Sequence, residues 1–134
     1  ELERFEAGSF DAVVLDVFAG ADAPEPLAER SYYEELRALL SGRGVLLVNV
    51  GDDPPLAFAR RQAKALADVF GRAGGEAAAL GDASMFTGRH PGNIVLAAVP
   101  YRWPAEWTTS LLQAGPHPAA VLTGADLDAF AEGR

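Results

Sequence analysis

From residue 11 the chain alternates short apolar runs with stretches in which apolar residues recur every three or four positions. Ala12 to Leu15 form an unbroken apolar run, opened by Asp11 and closed by Asp16, and residues 11–16 read as a strand. Residues 17 to about 30, with Gly20, Pro24 and Pro26, read as a loop. Ser31 and Glu34 have the spacing of a capping box, and Tyr33, Leu36, Leu39 and Leu40 form a stripe. A helix is therefore expected from 31 to about 40, ended by Gly42 and Gly44. "GVLLVNV" (44–50) is apolar through Val48, as in a parallel strand buried on both faces. "GDDPP" is a turn, and a helix starts at Pro55 or Leu56. Ala59, Ala63, Leu66 and Phe70 share one face of it, while Arg60, Arg61, Lys64, Asp68 and Arg72 occupy much of the rest. A weaker strand at 76–80, a turn-rich loop and a strand at 93–99 follow. Short helices are expected near 105–113 and 125–131, and residues 1–10 read as a helix tail ending near Gly8.

Strands alternating with helices predict an α/β fold with a mainly parallel sheet. The strands at 76–80 and 93–99 are joined by a loop without a helix, which suits an antiparallel pair.

Composition narrows the chemistry. A chain of 134 residues, 49% hydrophobic, is expected to form one domain with a real core. A net charge of −8 argues against nucleic acid and anionic membrane surfaces as partners. It suits a cationic ligand, and equally it only keeps a protein soluble. The absence of cysteine excludes disulfides, thiolate catalysis and Cys-based metal sites. No run is long enough to span a membrane and the first ten residues lack signal-peptide character, so a cytoplasmic location is expected. There is no G-x-G-x-x-G, P-loop or G-x-S-x-G pattern. His90 and His117 are far apart and lack acidic partners at ligand spacing, so no metal is expected. "DDPPL" (52–56) is similar to the D-P-P-Y loop of amino-methyltransferases but lacks its aromatic, and reads as a turn before a helix. Asp16 reads in three ways: a ligand-facing acid at the carboxyl end of a strand, a helix cap, or a turn residue.

The run "FDAVVLD", the loop "DVFAGADAPEPL" and "SYYEELRALLSGRGVLLVNV" resemble the spermidine synthase (polyamine aminopropyltransferase) family without a gap from Asp11 to about Val50. "ALADVF" and "HPGNIVLAAV" extend the resemblance to residue 99. It implies a Rossmann-like, class I methyltransferase-type sheet. Residues 1–134 would supply the C-terminal portion of the catalytic domain, its fourth to seventh strands with an antiparallel last strand. The first, nucleoside-binding half would be absent from the chain. It further implies aminopropyl transfer from decarboxylated S-adenosylmethionine to a polyamine, without a metal. The family's Asp-x-x-Asp pair holds the amine and assists its deprotonation. Asp16 matches the first acid; Ala19 stands at the second, where a methyl group can do neither. Asp22 lies on the same loop. Ala23, Pro24 and Leu27 match positions that wall the adenine. Arg89 and His90 replace an amine-holding Tyr, and Tyr32 and Tyr33 match aromatic positions read here as core.

The Ala19 departure leaves enzyme and non-enzyme readings open. The alternatives are an S-adenosylmethionine-dependent methyltransferase-like protein and a non-catalytic binding or assembly module. In the last case the strand at 11–16 would be an exposed apolar edge that pairs copies into a homo-oligomer.

Overall fold

The computed structural model of the chain describes residues 2–19, 26–115 and 119–133, with residues 26–28 described by backbone alone. Apolar alternation and helical stripes resolve into nine regular elements. They are β1 (Phe10–Phe18), α1 (Pro26–Leu39), β2 (Leu40–Asp52), α2 (Ala57–Gly71), β3 (Glu76–Asp82), β4 (Gly92–Val99), α3 (Ala105–Ala114), β5 (Ala119–Leu122) and α4 (Gly124–Ala131). Short 3-10 turns at Leu2–Arg4 and Ala83–Thr87 complete the described elements.

The five strands form one sheet in the order β1-β2-β4-β3-β5. β1 and β2 are parallel, whereas β4 is antiparallel to both β2 and β3, and β5 is antiparallel to β3. Three strands thus point one way and two the other. The antiparallel strand at 93–99 is as expected; β5, a half-buried four-residue strand, has too short a pattern to be read from sequence. The fold is α/β and partial Rossmann-like.

Packing distinguishes the two faces. α1, α2 and α4 cover one face, where Leu46, Val48, Val50, Leu66, Phe70 and Leu96 are buried. The predicted stripe Ala59–Ala63–Leu66–Phe70 is that contact face of α2. α3 lies on the other face, where Trp103, Trp107 and Leu111 approach Val45, Leu47, Leu80 and Ala97. α3 buries none of its residues. Among the described residues no helix covers this second face over β1, and Val14 and Phe18 are 73% and 70% exposed there.

Three expectations need correction. α1 begins at Pro26, not Ser31, because proline is pre-set for the first helical position and loses no needed N–H; Ser31 is inside the helix and caps nothing. Gly42 and Gly44 lie within β2, not after a helix, where four residues of β2 oppose Asp11 at a break in the β1–β2 register. Tyr33 is core at 2% exposed, but Tyr32 is 38% exposed, since the neighbouring position on a helix points about 100° away.

Candidate functional site

Parallel pairing places Asp16 opposite Asn49, with Phe18 opposite Gly51. These four residues lie on the second face, near the carboxyl ends of β1 and β2. The Asn49 Nδ2 donates to Asp16 Oδ1 at 2.8 Å. Asp16 is exposed and, among the described residues, meets no Lys or Arg. It therefore neither caps a helix nor closes a turn. Ala19 continues the strand line, its N–H donating to the Gly51 carbonyl at 3.0 Å. The ring of Phe18 lies against Gly51: a Cβ added to Gly51 would come within 3.0 Å of it and within 3.2 Å of the Asn93 Oδ1.

Two other acids at this end of the sheet, Asp52 and Asp82, are committed. Asp52 accepts the N–H of Asp53 at 2.8 Å and that of Ala59 at 2.9 Å, closing the entry to α2. That confirms "DDPPL" as a turn leading into a helix. Leu56, the residue before α2, has φ +67°, a left-handed conformation that is costly for leucine and is held by full burial of its side chain. Asp82 accepts Ser84 N–H at 2.9 Å and Ser84 Oγ at 2.8 Å. These bonds, with His90 nearby, hold its carboxyl below the usual carboxylate range. Arg89 and His90 are exposed just before β4.

Ala23, Pro24 and Asp22 lie outside the described residues, as does His117. Leu27 belongs to the first turn of α1. α1 packs on the first face and Asp16 looks out from the second.

A buried polar cluster escaped the sequence reading. Glu29, 3% exposed, receives both Arg61 Nε and an Arg61 terminal nitrogen at 2.9 Å. Gln62 donates to the same carboxylate and accepts from the Tyr33 hydroxyl. Burial, then the Glu29 charge, pushes the Tyr33 hydroxyl well above the ordinary tyrosine value. Glu29, Tyr32, Tyr33 and Gln62, with Leu15, Val17 and Phe58, line a cavity of about 450 Å³ beside β1. The signal was available only once the helix start moved to Pro26, which places Glu29 in its first turn.

Among the described residues no three His, Asp or Glu side chains are grouped to hold a metal, and no helix is long and apolar enough to cross a membrane. No family model and no curated protein matches the sequence. A solved structure does. The crystal structure of a probable spermidine synthase from Corynebacterium glutamicum superposes with a TM-score of 0.76 at 28% identity over 98% of this chain. The chain is spermidine synthase-like in fold and sequence. It spans 48% of the length of that solved protein, about half.

Proposed function

We propose that this chain forms the acceptor-amine side of an aminopropyltransferase-type catalytic domain, as the second half of that domain. The single observation that carries the reading is Asp16. It is an exposed carboxylate near the carboxyl end of a strand, oriented by Asn49 and without a cationic protein partner. Such a group attracts an ammonium ion.

In the proposed reaction the neutral amine attacks the methylene carbon next to the sulfonium of decarboxylated S-adenosylmethionine. The C–S bond breaks, 5′-methylthioadenosine leaves, and the extra proton passes to a base. Asp16 holds and orients the amine. The resemblance assigns Ala23, Pro24 and Leu27 to one wall of the adenine site, and a preceding half would supply the remainder of the nucleoside site. With Ala19 in the second acid position, deprotonation falls to solvent or to another group, and turnover is slow. Native mass spectrometry of the chain with 5′-methylthioadenosine and with S-adenosylhomocysteine tests the class. Preferential retention of 5′-methylthioadenosine supports aminopropyl transfer; preference for S-adenosylhomocysteine turns the reading to methyl transfer; retention of neither removes the nucleoside site from this chain.

The exposed side chains of Val14 and Phe18 on the edge strand β1 favour a second reading, a non-catalytic module that assembles through that edge.

A further inference from the structure

We propose that α4 and the β3–β4 connection, residues 83–91, form one cooperative unit latched through Arg60 and Phe130, so that the docked helix sets how this loop is held at the carboxyl end of the sheet. This holds whatever Asp16 binds. The loop enters β4 at Gly92 and Asn93, which pair with Asp52 and Gly51, so its placement bears on the strand ends where Phe18 and Asp16 stand. Arg60, in the first turn of α2, donates from Nε to the Pro55 carbonyl at 2.9 Å and from Nη1 to the Phe130 carbonyl at 2.7 Å. Its guanidinium also lies 4.5 Å from the centre of the Phe130 ring. That ring meets Phe86 of the loop edge-on, with centroids 5.3 Å apart. Gly88 has φ +72°, and a Cβ there would stand 2.6 Å from an Arg60 terminal nitrogen and 3.3 Å from the Pro55 carbonyl oxygen. The loop backbone thus runs against the guanidinium at a residue that has no room for a side chain.

Energetics couples the two segments. α4 has eight residues, too few to persist as an isolated helix, so it is helical only while docked. Leu127 and Phe130 are its buried residues. When α4 leaves, Phe86 loses its ring partner, and Arg60 loses the Phe130 carbonyl and ring together. Within the loop, the Gly88 N–H donates to the Met85 carbonyl at 3.2 Å and the Arg89 N–H to Thr87 Oγ1 at 3.3 Å, bonds at or past the long end of the normal range. Loop and helix therefore open together, ahead of the β2–β4 pairing at the centre of the sheet. Arg89 and His90, exposed near the end of the loop, are freed with it.

The test is native-state hydrogen exchange of the chain, read amide by amide by NMR at urea concentrations below the unfolding transition. In the unaltered chain the amides of Gly88 and Arg89 are expected to share one opening free energy and one urea dependence with those of α4, and to open more readily than Leu96 and Ala98 in β4. Leu127→Ala then probes the coupling at a distance, because Leu127 packs beside Ala67, Glu76 and Ala77, at the opposite end of β3 from the loop. It is expected to speed exchange at Gly88 and Arg89 at least about tenfold, in step with α4. Arg60→Lys keeps the positive charge but loses the fork that reaches both carbonyls, and is expected to speed the same amides of loop and helix. If Leu127→Ala speeds α4 and leaves the loop unmoved, the loop opens on its own and the latch is overturned. Unprotected Gly88 and Arg89 in the unaltered chain, an opening free energy equal to that of β4, or no response of either segment to Arg60→Lys overturns it as well.

Discussion

Asp16 and Asn49 sit 33 positions apart, and only the β1–β2 register brings Asn49 Nδ2 to Asp16 Oδ1. The acid at the end of an apolar run was legible; its orienting partner was not, because Asn49 reads as one polar interruption in a buried strand. Glu29 is a second case: its charge is ordinary in sequence and becomes a buried anion only when α1 and α2 meet. Arg61→Ala leaves that anion uncompensated and is expected to destabilise the fold by about 3 kcal/mol in urea unfolding. Tyr33→Phe leaves Gln62 without its donor and is expected to cost about 1 kcal/mol. The raised Tyr33 pKa also has a sign. An acid whose pKa is higher in the folded than in the unfolded state gives full stability below the unfolded value of about 10 and loses it as pH rises through the folded value. Stability is therefore expected to fall above pH ~10, less steeply in Tyr33→Phe. Part of the alkaline loss persists there, since burial raises Tyr101 as well. Denaturant midpoints measured across the alkaline range check this. At the proposed site, Gly51→Ala forces its Cβ into the Phe18 ring and is expected to weaken amine binding while leaving the Asn49–Asp16 bond intact.

Elements with strong periodicity were placed closely. α2 shows its four-residue apolar stripe, α3 and α4 fall within a residue or so of the ranges expected, and β4 matches its apolar run. Boundaries governed by competing signals were misplaced. Ser31 and Glu34 have capping spacing, but Pro26 starts α1 a turn and a half earlier and the continuous helix overrides the local cap. Gly42 and Gly44 signal a stop, yet pairing with β1 draws them into β2. At the entry to α2 the capping function comes from Asp52, five residues before the helix. Asp52→Ala is expected to lower stability by about 1 kcal/mol, readable as a lower Tm, with α2 still formed because its buried stripe is unchanged.

At the scale of the molecule, one sheet face is covered by three helices and the other is open over β1. If assembly through β1 governs the chain, sedimentation should find a dimer or larger species. Val14→Lys together with Phe18→Lys should then yield a folded monomer, because neither side chain is buried in the core; a wild-type monomer contradicts the assembly reading. The sequence by itself determined the α/β class, the main strands and the acid at the end of the first, because hydrophobic period and turn chemistry are local properties. It also carried the resemblance that the solved spermidine synthase supports at the level of fold. Tertiary structure alone decided which face each residue occupies, which acids are spent on caps and which one Asn49 orients. Those outcomes depend on strand register and helix packing, which join residues dozens of positions apart and leave no periodic trace along the chain.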